Sequence, residues 1–178
     1  MAVLETIRNF FVTAPEPECR IVLVAPPTSY AVRPLAERHL DQVLRLNMRC
    51  FKNGENYTKH TFAYLLNEPN ALSYQIVTSD NQMVGFICVL MGDDGAAHIT
   101  TIGIAPEHRR RKLAERLLSH VENALKIRNI GAVVLEVRVG NTAAHNLYKM
   151  SGYSVVQRMT RYYNNGEDGF LMMKSLGH

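Results

Sequence analysis

Hydrophobic positions recur along this chain with two periods, and the points where one period gives way to the other mark its elements. Leu4, Ile7, Phe10 and Phe11 fall at helical spacing and predict a short amphipathic helix, interrupted by Pro15 and Pro17. Ile21 to Val24 is a short strand candidate before a second proline pair, Pro26 and Pro27. From Ser29 the pattern becomes regular. Tyr30 to Arg33 starts a strand, and Pro34 leads into a helical stretch in which Leu40, Val43, Leu44 and Met48 share one face. A break at Asn67 to Asn70 precedes two β-rich runs, Tyr74 to Thr78 and Met83 to Met91, which Ser79 to Gln82 joins as a hairpin. Gly92 to Gly95 then turns the chain into a strand from His98 to Ile104, which Pro106 ends.

A strongly amphipathic helix follows. Leu113, Leu117, Leu118, Val121 and Leu125 form its apolar stripe, with charge on the other faces, and Asn129 and Gly131 stop it. Ala132 to Val139 reads as a buried strand. Asn141 caps a short helix through Met150 that brings Ala144, Leu147 and Tyr148 near one face. Tyr153 to Tyr163 and Phe170 to Leu176 are two last strands flanking Asn164-Asn165-Gly166, whose Asn-Gly step is a hairpin signal. The order is strand, helical region, three strands, helix, strand, helix, two strands. It predicts one mixed α/β sheet domain over residues 29–178, preceded by an extension over residues 1–28.

Composition narrows the class. The chain has 178 residues, 47% hydrophobic and 20% charged, which suits one globular domain able to bury its own core. No apolar run approaches the roughly 20 residues of a membrane span. Cys19, Cys50 and Cys88 form no CxxC pair, so a disulfide framework is not expected and an intracellular, cytoplasmic setting is. Met1 to Val12 carries Glu5 and lacks an uninterrupted apolar stretch, so no secretory leader is read there. The histidines show no metal-ligand spacing, and no metal site is expected. A net charge of +4 suits a phosphate-bearing ligand as well as it suits nucleic acid.

The densest chemistry lies in Thr100 to Leu118, TTIGIAPEHRRRKLAERLL. A strand stops at Pro106 and a helix opens inside the basic run His108-Arg109-Arg110-Arg111-Lys112. The first turn of a helix has unpaired N–H groups and the positive end of the dipole, which together attract anions. Basic side chains there oppose helix stability, and a phosphate-bearing ligand removes the conflict. A solvated basic helix start or a nucleic-acid patch accounts for the charge alone equally well.

Arg109-Arg110-Arg111-Lys112-Leu113-Ala114 resembles the Q/R-x-x-G-x-G/A signature of the GCN5-related N-acetyltransferases (GNAT). Lys112 stands where glycine is usual, and Ala114 is an allowed variant. Leu135-Glu136-Val137-Arg138-Val139-Gly140-Asn141, followed by Leu147-Tyr148 and Ser151-Gly152-Tyr153, resembles the LEVR-x-SN…LY…GF stretch of protein N-terminal acetyltransferases, including the RimI-type ribosomal-protein alanine acetyltransferases. Tyr162-Tyr163-Asn164-Asn165-Gly166-Glu167-Asp168 resembles their YY-x-x-GEDA hairpin, with Gly169 in place of alanine, and Glu55-Asn56-Tyr57 resembles an ENY element of archaeal and eukaryotic members. The likeness spans residues 29–176 and implies the GNAT fold, a mixed central sheet of about seven strands with flanking helices.

It also implies roles. Acetyl-CoA would be the donor, held by backbone groups of Ile102, Gly103 and Ile104, by the turn from Arg109 through Arg110, Arg111, Lys112 and Leu113 to Ala114, and by Asn141 and Tyr148. Glu136 matches the proposed general base. An unpaired carboxylate in a buried strand is costly, so the plainer alternative is an ion pair with Arg138 on the same face or with another strand. Tyr148 matches the proposed acid for the departing thiolate, or else simply packs on the sheet. His98 matches a proton-relaying histidine, or else faces solvent at the strand end. Glu55 is a second base or specificity residue, or an exposed loop acid. Tyr57, Tyr162 and Tyr163, with Glu55, would line the peptide groove.

The implied activity is transfer of acetyl to the α-amine of a protein N-terminus, a ribosomal protein among the candidate substrates, by direct attack with both substrates bound. No DNA or membrane partner is expected, and the chain would be a monomer or weak dimer. Two other readings remain open at this point. One is a GNAT enzyme acting on a small amine or an internal lysine; the other is a basic module binding RNA or the ribosome.

Overall fold

The computed structural model of the protein describes residues 23–51 and 56–177. Its elements follow the predicted order: β1 (Tyr30–Pro34), a 3-10 turn at Glu37–His39, α1 (Leu40–Cys50), α2 (Lys59–Asn67), β2 (Ala71–Thr78), β3 (Met83–Met91) and β4 (Ala96–Ile104). A second 3-10 turn at Pro106–His108 leads to α3 (Leu113–Ile127), β5 (Ala132–Arg138), α4 (Thr142–Met150), β6 (Ser154–Met159) and β7 (Gly169–Ser175). The helical region after β1 is therefore two helices. Thr58 starts the second by accepting the Thr61 N–H on its hydroxyl at 3.2 Å.

The strands form one seven-stranded sheet in the order β1-β2-β3-β4-β5-β7-β6. Every adjacent pair is antiparallel except β4 with β5, which the α3 crossover makes parallel. β3 is buried at all positions from Met83 to Leu90, so both faces of the sheet centre are covered. Phe62 of α2 packs edge-on against Phe86, and a Cβ added at Gly103, the partner of Phe86, would lie 2.7 Å from the Phe86 ring and 3.1 Å from Cys50 Sγ. Glycine at 103 thus allows α1 to close on the sheet. Gly85 points the other way, toward Leu117 of α3. Helices α1 and α2 cover one face, and α3 covers the other. His145 of α4 stacks near Phe170 of β7, and Tyr153 after α4 donates to Glu122 of α3 at 3.0 Å, so α4 lies on the α3 side.

Some local expectations shift. The predicted stripe of α3 is buried throughout, at Leu113, Leu117, Leu118, Val121 and Leu125. In α1 the buried positions are Val43, Leu46 and Asn47, whereas Met48 is 58% exposed. α1 and α2 lie side by side on the same face of the sheet, and Met48 falls outside the contact face of α1. The last two strands are shorter than the Tyr153 to Tyr163 and Phe170 to Leu176 runs. Tyr162 and Tyr163 lie in the loop between β6 and β7, closed by the Tyr163 N–H to Glu167 O bond at 3.1 Å, with Gly166 at φ 82°. Among the described residues Cys50 and Cys88 are free thiols, pushed by burial up to about 11 and about 12; Cys19 lies outside them. No described helix is long and apolar enough to cross a membrane.

The predicted helix at Leu4 to Phe11 and Ile21 of the expected Ile21 to Val24 strand lie outside the described residues. Leu23 and Val24, the described half of the expected Ile21 to Val24 strand, carry no strand and are exposed.

Candidate active site

The sheet is divided at its centre. β4 and β5 pair only at Ala96 with Ala132, Ala97 with Val133 and His98 with Val134, although β4 runs on to Ile104 and β5 to Arg138. Beyond His98 the two strands separate, and Ile102, Gly103 and Ile104 edge the gap. The ladder between β3 and β4 also slips there, with Cys88 opposite Thr101 but Val89 opposite Ile99, so Thr100 is an extra residue in β4. Its hydroxyl donates to Cys88 O at 3.1 Å, and its carbonyl accepts the Tyr57 hydroxyl at 2.7 Å.

Glu136 stands on the open stretch of β5, on the face opposite buried Val133, Leu135 and Val137. Its Oε2 lies 2.5 Å from Nε2 of His98, and both side chains are more than nine-tenths buried. The strand-end histidine facing solvent is thereby excluded, and the partner on another strand is found. Oε1 of Glu136 and Nδ1 of His98 are buried without a protein partner, which leaves each ring or carboxylate one hydrogen-bonding position for a substrate or water.

Three tyrosines surround this carboxylate. Burial, and then the negative charge of Glu136, push the Tyr148 phenol well above its usual value. Tyr57 rises through burial first, with the Cys88 and Glu136 charges adding to it. Tyr163 rises through burial, against the opposing pull of the Arg138 guanidinium. Tyr148 approaches from the α3 and α4 side, and Glu136 from the α1 and α2 side. The Glu136 charge reaches Tyr148 where the strands part. Tyr148 is 6% exposed, its ring lies edge-on to Tyr153 at 5.8 Å, and its hydroxyl has no hydrogen-bond partner among the described residues. Glu55 lies outside the described residues.

Arg138, one turn of the pleat beyond Glu136, holds the β6–β7 loop. It donates to Glu167 Oε2 at 2.7 Å and Asn165 Oδ1 at 3.0 Å, and its guanidinium carbon sits 3.9 Å over the Tyr163 ring. Burial would raise Glu167, but the bonds from Arg138 and from the Gly140 N–H hold it below the usual carboxylate range. A methyl at position 169 would lie 3.3 Å from both the Tyr162 and Tyr163 rings, so Gly169 lets that pair settle closely on the strand start. One positioning residue was not singled out from sequence. Asn47 of α1 donates to Asn56 Oδ1 at 3.3 Å and Tyr57 O at 3.4 Å, and so anchors the segment carrying Tyr57. Arg138, offered from sequence as a partner for Glu136, donates to Glu167 of the loop.

At the other end of the gap, the turn before α3 curls tightly. Arg110 and Lys112 both have positive φ, 61° and 57°, around Arg111. Alternation of this kind aims successive N–H groups inward as an anion-binding concavity. No described acceptor meets the N–H groups of Lys112, Leu113, Ala114 or Glu115. The exposed side chains of Arg110 and Lys112 carry no described partner, whereas Arg109 is tied to Ile104 O and Cys50 O at 3.3 and 3.2 Å. Lys112 adopts the left-handed conformation that glycine would take more readily. Asn141 starts α4 by accepting the Ala144 N–H at 3.1 Å. Open amides and free cations at the turn, continuous with unpaired strand edges, fit a ligand that has a phosphorylated end and an amide-bearing arm.

The chain belongs to the Acetyltransferase (GNAT) family, whose model matches residues 40–153. It is 30% identical over 159 residues to an N-alpha-acetyltransferase of Sulfurisphaera tokodaii, covering 83% of this chain and 93% of the relative. To a putative ribosomal protein bS18-alanine N-acetyltransferase of Bacillus subtilis it is 32% identical over 148 residues, covering 82% of this chain and 95% of the relative. Its fold superposes on the ribosomal-protein-S18-alanine N-acetyltransferase of Escherichia coli with a TM-score of 0.76 at 25% identity, covering 84% and 96% of the two chains. GNAT acetyltransferases take their acetyl group from acetyl-CoA.

Proposed function

We propose that this enzyme acetylates the α-amine of protein N-termini, with ribosomal proteins among its substrates in the cytoplasm. The observation that carries the reading is the buried Glu136–His98 pair at the mouth of the divided sheet, within reach of the charge effects on three tyrosines. Acetyl-CoA, when bound, supplies a thioester carbonyl for the amine to attack, with coenzyme A leaving as the thiol. Open amides of Lys112 to Glu115, the free cations of Arg110 and Lys112, and the strand edge at Ile102 to Ile104 would hold it.

The remaining chemistry belongs to side chains. An α-amine has a pKa of about 7.7 to 8.0, so a modest base suffices to free its lone pair, whereas a lysine near 10.4 needs more. Glu136 accepts that proton, directly or through a water, and His98 on its second oxygen spreads the gained charge. Tyr148 keeps its proton across the working pH range because its pKa is raised, and is therefore always able to donate to the departing sulfur. A thiolate forming in the same buried space also becomes more basic, which preserves the match between donor and acceptor. The tyrosine pair held by Arg138, Glu167 and Gly169 would cover an extended peptide, which a small amine would not need.

The test is release of free coenzyme A from acetyl-CoA against peptides beginning Ala, Ser, Met-Leu and Met-Glu, with an N-terminally blocked lysine peptide and spermine beside them. Turnover confined to free N-termini supports the reading. Turnover only on the blocked peptide or spermine overturns it while leaving the family membership untouched.

A further inference from the structure

We propose that Arg111 and the segment from Ala25 to Tyr30 form a clasp that holds the phosphate turn in its binding shape. Arg111 is then a positioning residue for coenzyme A and not a phosphate ligand. The proposal rests on the reading of that turn as the cofactor site.

Arg111 sits between the two residues of positive φ, yet its guanidinium points away from the concavity. Nη1 donates to Pro26 O at 3.0 Å and to the Tyr30 hydroxyl at 2.5 Å, and Nη2 donates to Ala25 O. The same segment grips the chain on both sides of the turn. The Ala25 N–H donates to Glu107 O at 2.9 Å, Tyr30 Oη lies 2.9 Å from His108 Nδ1, and Tyr30 O accepts Arg116 Nη1 at 2.9 Å. Residues before, within and after the turn are thus tied to one short stretch of chain. Glu107 is itself anchored to Arg49 of α1 at 2.5 Å.

A clasp is needed because the turn is built from the wrong residues. Left-handed φ crowds the Cβ of an L-residue against its own backbone, and such conformations persist only where the surroundings over-determine them. Here two non-glycine residues, Arg110 and Lys112, adopt it within three positions. With glycine at 112, half of that cost would vanish and the turn would need less external support. The charge of Arg111 still acts on the turn at a distance, but three of its five N–H donors are committed to Ala25, Pro26 and Tyr30.

The experiment is titration of coenzyme A, followed by calorimetry, into the wild-type chain, Arg111→Ala, Lys112→Gly and the double variant. Arg111→Ala is expected to weaken binding about tenfold, on the order of the 1.4 kcal/mol that corresponds to that factor. In the Lys112→Gly background the same substitution is expected to cost less than about threefold, since glycine holds the turn unaided. Tyr30→Phe, which removes one hydroxyl and leaves the ring in place, should weaken binding by about twofold to threefold and keeps the test alive if Arg111→Ala misfolds. In turnover, KM for acetyl-CoA should rise with these losses. An equal loss from Arg111→Ala in both backgrounds would mean direct phosphate contact and overturn the clasp, as would no loss in either variant. Failure of the wild-type chain to bind coenzyme A would overturn the cofactor reading and the clasp with it.

Discussion

Nε2 of His98, the last β4 residue to pair with β5, lies 2.5 Å from Oε2 of Glu136, two residues beyond the partner Val134 on β5. The contact gives each of two buried polar side chains a partner. A carboxylate buried without such a partner would be driven to its neutral form and lose its value as a base.

Glu136→Gln should lower kcat about a hundredfold, in the range of a lost general base, with little change in affinity for acetyl-CoA. His98→Gln should lower it by about tenfold. Because the two side chains contact each other directly, the double variant should be no more than about threefold slower than Glu136→Gln alone. Steady-state rates on the three variants decide it, and losses that simply multiply would separate the two residues.

Tyr148→Phe should slow turnover by about ten- to a hundredfold while leaving thermal stability within about 1 kcal/mol, because the hydroxyl makes no described hydrogen bond. Melting followed by far-UV circular dichroism reads the second half. A large drop in melting temperature would mark the tyrosine as a packing residue.

Glu167→Ala removes the acceptor of Arg138 and of the Gly140 N–H together. The tyrosine loop should loosen, raising KM for peptide about tenfold with KM for acetyl-CoA unchanged. A change confined to acetyl-CoA would show that the loop does not cover the acceptor.

Stability should fall on acidification in two stages. Burial lowers His39, His108 and His145 below their ordinary 6.5; around His108, Glu107 opposes this and Arg111 and Arg49 reinforce it. The unfolded chain then binds protons that the folded chain refuses, so stability present above about 6.5 is lost as pH falls through the lower folded values. Glu107, Glu167 and Asp168 are held below their ordinary values by their arginine and backbone partners, against burial in the two glutamates, and their contribution is lost further down, as pH falls through their folded values below about 4.5. Melting temperatures from pH 8 to pH 4 should decline from about 6.5 downward; a flat profile to pH 5 would contradict the histidine stage.

Particular residues show what could be read from the chain. The α3 stripe was legible because five leucines and valines at helical spacing have only one face to bury. The anion turn was legible from Pro106 and the basic run, but its strain was not, since φ at Arg110 and Lys112 follows from how the chain leaves β4. Helical spacing places Met48 with Leu40, Val43 and Leu44, but the buried face of α1 is centred on Val43, Leu46 and Asn47, which leaves Met48 beyond its edge. Tyr162 and Tyr163 read as strand from β propensity, yet Arg138 and Glu167 hold them in the loop between β6 and β7.

Element order, the cap at Asn141, the turn at Asn164 to Gly166 and the basic helix start were determined by the sequence itself. Each depends on side chains within a few residues of one another, where periodicity and turn chemistry act. Only the tertiary structure decided that His98 meets Glu136 across 38 positions, that β4 and β5 part after three pairs, and that Arg111 turns back to Ala25. The first two depend on the length and packing of the α3 crossover, which sets the parallel register, and the third on how the chain before β1 returns to the end of β4; no local pattern carries such separations into a distance.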